Sequence, residues 1–101
     1  QIIHTGNLTL DLAQRLAEYN GKSLDLTTIE FKILQILVKE APKPVCPVAL
    51  VKMAMGYDCA GLEAAGIIKF HIHQLRQKME STPQKPQHIK TIRFEGYLWC
   101  E

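Results

Sequence analysis

The 101 residues are enough for one domain with a single core. A hydrophobic share of 47% is ordinary for a folded globular chain, and no apolar run approaches the roughly 20 residues that span a membrane. The net charge of +2 does not announce a polyanionic partner, but its distribution is uneven: residues 1–65 carry 6 basic and 7 acidic side chains, residues 66–101 carry 6 and 3.

Short strands come first. Leu8 to Leu12 alternates apolar and polar residues, as a half-buried strand does. Arg15 to Tyr19 can pair with it. Asn20-Gly21 is a two-residue hairpin turn, because both residues tolerate positive φ, and Ser23 to Leu26 returns. The start, Gln1-Ile2-Ile3-His4, lacks the basic-then-apolar layout of a signal peptide.

A helix follows. Thr27 is its expected N-cap, and Glu30 completes a capping box. Phe31, Leu34, Leu37 and Val38 form a helical apolar stripe with Ile33 and Ile36, and Pro42 and Pro44 stop it. Pro47 suits the first turn of a second helix, capped poorly by Cys46 and ended by Gly56 after Met55. Tyr57, Asp58, Cys59, Ala60, Gly61 and Leu62 read as a loop. A third helix is expected from Glu63 to Glu80, with Ile68, Ile72, Leu75 and Met79 facing the core. Ser81 to Pro86 is a proline-containing loop. Ile89–Ile92 and Tyr97–Cys100 then flank an Arg93-Phe94-Glu95-Gly96 turn as a C-terminal hairpin. The predicted fold is α+β: a winged helix-turn-helix with an N-terminal antiparallel sheet, three helices and a β-hairpin wing.

Four motifs in this order resemble the effector domain of OmpR/PhoB-type response regulators. Leu26-Thr27-Thr28-Ile29-Glu30-Phe31-Lys32-Ile33-Leu34 is similar to that family's opening of the first helix. Gly56-Tyr57-Asp58 resembles the end of its second helix. Ile68 to Lys78 resembles its Val-Asp-Val-His-Ile-x-x-Leu-Arg-x-Lys, and Ile89 to Tyr97 its Ile-x-Thr-Val-Arg-Gly-x-Gly-Tyr wing. The resemblance implies sequence-specific binding of double-stranded DNA and transcription regulation. The third helix would enter the major groove and the wing the neighbouring minor groove. The loop from Tyr57 to Leu62 would contact RNA polymerase. Binding to direct repeats as a homodimer is also implied, formed on DNA or through a further N-terminal domain. The chain begins without Met and is read as residues 1–101 of a longer cytoplasmic regulator's C-terminal part.

Opposite the core stripe, a 3.6-residue repeat places Gly66, Phe70, His73, Gln74 and Gln77 on one face. Lys69 and Arg76 flank it on one side, His71 and Lys78 on the other. Flanking cations suit phosphates, and the central face suits base edges. Gln74 can pair bidentately with adenine, and Phe70 either packs on thymine methyls or tucks against the loop or wing. Arg76, Thr91 and Arg93 match the family's DNA contacts, with Arg93 the minor-groove candidate. Trp99 is expected to pack the wing on the third helix or to turn its indole to DNA. His71 and His73 point about 200° apart, so they do not share a metal.

Departures from the family are specific. Its Arg is Gly66, its Asp is Lys69, its arginine-rich middle is His73-Gln74, and the first wing glycine is Phe94, which uses positive φ less freely. A protein-interaction module contacting polymerase or another regulator, with little DNA binding, is the competing reading. Enzyme chemistry, a cofactor and a metal are not expected: no triad spacing, phosphate-cradling glycine loop or metal cluster is written. Cys46, Cys59 and Cys100 form no Cys-x-x-Cys pair and read as reduced thiols.

Overall fold

A computed structural model describes residues 1–101. The N-terminal sheet is antiparallel, with strands in chain order: β1 (Ile2–Thr5), β2 (Leu8–Asp11), β3 (Leu16–Tyr19) and β4 (Lys22–Leu24). Leu8 and Leu10 are fully buried while Thr9 and Asp11 are half-buried, which is the alternation of a one-sided sheet. Asn20 and Gly21 both take positive φ, at 53° and 79°, and close the β3–β4 hairpin. The sequence pattern does not mark β1. It is an edge strand whose Ile2 is exposed, so its apolar residues do not alternate cleanly.

In α1 (Thr28–Glu40) the capping box is formed. The Glu30 N–H donates to Thr27 Oγ1 at 3.1 Å, and the Thr27 N–H donates to Glu30 Oε1 at 3.0 Å. Phe31, Ile33, Leu34 and Leu37 are buried. α2 (Pro47–Met55) starts on Pro47, receives no side-chain cap from Cys46, and ends at left-handed Gly56 with φ 83°. α3 runs from Gly61 to Met79, so Gly61 and Leu62 belong to its first turn and not to the preceding loop. The Ala64 N–H bonds to the Ala60 carbonyl at 2.8 Å, and Ala64 is fully buried. Burial of Ala64 thus extends the helix backward without a capping side chain, which is why its start was not written in the sequence. Ala64, Ile68, Ile72, Leu75 and Met79 form the buried stripe.

β5 (Ile89–Ile92) and β6 (Gly96–Trp99) pair as the wing. Val45, between α1 and α2, adds a one-residue antiparallel bridge to Tyr97, with N–H···O bonds of 2.8 and 3.0 Å. Gly96 makes that approach possible: a Cβ there would lie 2.1 Å from the Val45 carbonyl oxygen, and its φ is 130°. Trp99 is buried, its ring stacks on His88 at 5.2 Å, and its indole N–H donates to Thr5 Oγ1 at 3.1 Å. The indole therefore serves β1 and is not available to DNA. No helix is long and apolar enough to cross a membrane.

Candidate nucleic-acid interface

The inner stripe of α3 fixes the helix on the core, so its remaining faces are set by geometry alone. Gly66, Lys69, Phe70, His73 and Gln77 are exposed and Gln74 is half-buried. Where α3 runs beside the wing, the two elements form a groove of about 430 Å³. α3 supplies Lys69, His73, Arg76 and Gln77, and the wing supplies Thr91 and Tyr97. Pro83 and Gln84, from the loop after α3, line its other end. None of the lining side chains is acidic. The groove thus presents two permanent cations, amide and imidazole hydrogen-bonding groups and a hydroxyl, which suits a phosphate-lined ligand.

The sequence-predicted residues divide into four groups, of which the half-buried His71 and Gln74 lie on α3 outside the groove. Lys69, His73, Arg76, Gln77 and Thr91 come together in the groove. Phe70 and Arg93 lie outside it and are exposed. Phe70 is 59% accessible and its ring lies T-shaped to that of its neighbour His71, centroids 5.2 Å apart, so it is not tucked against the loop or the wing. Lys78 belongs elsewhere. Its Nζ sits 2.6 Å from Oε1 of Glu30, whose side chain is only 4% exposed, so the ammonium is held by α1 instead of standing free on a DNA-facing flank. Burial opposes the Glu30 charge. The Lys78 hydrogen bond, the Thr27 N–H and the positive fields of Lys78 and His71 outweigh it, holding the carboxyl below its ordinary value.

Arg76 does more than offer a charge. Its Nε and one terminal nitrogen donate to the Ile89 carbonyl at 3.0 and 2.7 Å, and the same terminal nitrogen donates to Thr91 Oγ1 at 2.9 Å. The guanidinium also lies 5.8 Å from the Tyr97 ring centre. This forked geometry pins β5 to α3 and is specific to arginine. Partial burial lowers the Arg76 pKa, against the fields of Tyr97 and Glu80. In the loop from Tyr57 to Ala60, the Cys59 thiol donates to Glu63 Oε1 at 3.3 Å. Partial desolvation, that bond and the Glu63 charge push the thiol pKa up.

Two positioning residues were absent from the sequence-derived set. Tyr97 underlies Arg76, and its place in the wing motif was the available signal. Glu80, nearly buried, accepts the N–H groups of Gln87, His88 and Ile89 at 3.0, 3.0 and 2.8 Å. It thereby sets where β5 begins. An acid at a helix C-terminus opposes the macrodipole, and that conflict was its signal.

Residues 21–99 match the family described as "Transcriptional regulatory protein, C terminal". The chain belongs to this family. Among its relatives, a probable transcriptional regulator ycf27 of Porphyra purpurea is 33% identical over 98 residues, covering 97% of this chain and 40% of that protein. The DNA-binding dual master transcriptional regulator RpaA of Synechocystis is 34% identical over 97 residues, covering 96% and 39%. The chain thus spans about two-fifths of the length of the curated relatives it matches. Its fold resembles the RstA DNA-binding domain of Klebsiella pneumoniae, solved in complex with RstA box, with a TM-score of 0.88, 30% identity and coverage of 98% and 96%. The DNA-binding domain of CpxR from E. coli gives 0.83, 27%, 98% and 95%. The winged-helix fold and the OmpR/PhoB-type family expected from the sequence are those found.

Proposed function

We propose that this chain binds double-stranded DNA and regulates transcription as the effector domain of a longer regulator, acting by binding and not by catalysis. The observation that carries this reading is the acid-free groove in which α3 and the wing gather Lys69, His73, Arg76, Gln77 and Thr91. α3 enters the major groove, where Gln74 and Phe70 read base edges and methyl groups. Lys69, His71, Arg76 and Thr91 meet phosphates, and Arg93 reaches the adjacent minor groove. Two subunits on direct repeats supply the affinity that the missing arginines do not. RNA polymerase is the proposed partner of the surface from Tyr57 to Leu62, where Tyr57 is 46% and Leu62 is 92% exposed.

Selection of duplexes from a randomised pool, followed by gel shifts, tests this reading. Enrichment of a repeated half-site is expected, with binding weakened in Lys69→Ala and Arg93→Ala while the circular dichroism spectrum is unchanged. Each lost phosphate contact should lower the slope of log affinity against log salt by about 1. A pool that never enriches sinks the proposal.

A further inference from the structure

The wing tip carries a residue that its own backbone disfavours. The Glu95 N–H donates to the Ile92 carbonyl at 2.9 Å, making a four-residue turn with Arg93 and Phe94 at its centre. Phe94 occupies the third position with φ 67°, a conformation that suits glycine there, and its side chain is 95% exposed. Neither packing nor local geometry therefore accounts for an aromatic at this place. The guanidinium of its chain neighbour Arg93 lies 5.0 Å from the ring centre. Arg93 supplies the cation of the tip, and the exposed ring beside it is the apolar group the tip adds. Meanwhile the wing behind it is held by the Val45 bridge and by the Arg76 fork, so the ring projects from a rigid support.

We infer that Phe94 is a minor-groove wedge: beside Arg93, it inserts at a flexible pyrimidine–purine step and bends the duplex. The inference rests on the DNA-binding reading above and deepens it. Apolar side chains used in this way partly unstack a base step and kink the helix toward the major groove. TA and CA/TG steps yield most easily, so the wedge would add sequence preference at a position read by deformability instead of by hydrogen bonds. Arg93 would hold the entry by its attraction to the minor-groove potential.

The test uses the whole chain and end-labelled duplexes recovered by it from a randomised pool, with bending read by energy transfer between the ends. The wild type is expected to bend these duplexes and to select a TA or CA/TG step under the wing. 2-Aminopurine placed at that step should brighten on binding. Phe94→Ala and Phe94→Gly should lose the bend, the brightening and the step preference, while Phe94→Leu, still an apolar wedge, keeps the bend. The glycine variant relieves the backbone, so a folding defect does not imitate the result. If Phe94→Ala bends the duplex as the wild type does, the wedge is overturned and duplex binding stands. If the wild type recovers no duplex at all, both readings fall.

Discussion

The base of the wing and its tip follow opposite rules. At the base, polar groups are tied across elements: Glu80 accepts three N–H groups, Arg76 donates to Ile89 and Thr91, and Val45 exchanges two bonds with Tyr97. At the tip, Phe94 is exposed and left-handed, with the guanidinium of its neighbour Arg93 over its ring. A strained residue persists where the surroundings over-determine the backbone. The contrast teaches that the two arginines, equivalent on a list of DNA-facing cations, do different work. Arg76 ties the wing to α3 as well as carrying a charge, whereas Arg93 stands exposed at the tip, where the proposed minor-groove contact would be made.

The largest test of the rigid base is Gly96→Ala. Its Cβ would overlap the Val45 carbonyl at an unfavourable φ, so a loss of about 3 kcal/mol in denaturant unfolding is expected. A change within experimental error would mean that the base yields and cannot support a strained tip. Next, Lys78→Ala leaves the Glu30 carboxylate buried without its partner and should cost about 2–3 kcal/mol at neutral pH. Because the folded Glu30 pKa is depressed, the wild-type pair contributes fully above the unfolded carboxylate value. That contribution is lost as pH falls through the lower folded value. The acid limb of the stability curve should therefore flatten in Lys78→Ala.

Arg76→Ala is expected to cost about 1–2 kcal/mol of stability and to weaken duplex binding. Arg76→Lys separates the causes, since a lysine keeps the charge but lacks the fork. Restored binding in the lysine variant would assign Arg76 to charge alone and erase the contrast with Arg93. The smallest effect has the opposite sign. Phe94→Gly should raise stability by up to about 1 kcal/mol, the relief of a left-handed residue reduced by the greater freedom of glycine in the unfolded chain. A destabilised Phe94→Gly would show that the ring packs on something after all.

What the sequence discloses is local. Thr27 and Glu30 cap α1, Asn20-Gly21 turns a hairpin, Pro47 and Gly56 bracket α2, and the spacing of Ile68, Ile72, Leu75 and Met79 seats α3. Each of these signals lies within a few residues of the structure it specifies. Features that depend on distant backbone were silent. The Arg76 fork ends on a carbonyl 13 residues away, and the Val45 bridge joins segments with no shared pattern. From the sequence Lys78 reads as an unpaired surface cation, because its partner is 48 residues upstream. Phe94 was legible as a departure from glycine, but the backbone still adopts the glycine-like φ. The outer face of α3 could be composed from a helical repeat, whereas the groove needed the wing in place.

The Trp99–Thr5 contact has a kinetic consequence. Its partners are 94 residues apart, so it closes a loop spanning nearly the whole chain. Such a closure cannot form until the last strand has been synthesised, and it places the seam between β1 and the wing late in folding. Trp99 is the only tryptophan, and its stacking on His88 gives it an environment distinct from solvent. Its emission in stopped-flow refolding should therefore trail the helical signal, timing the moment at which the two ends of the chain meet.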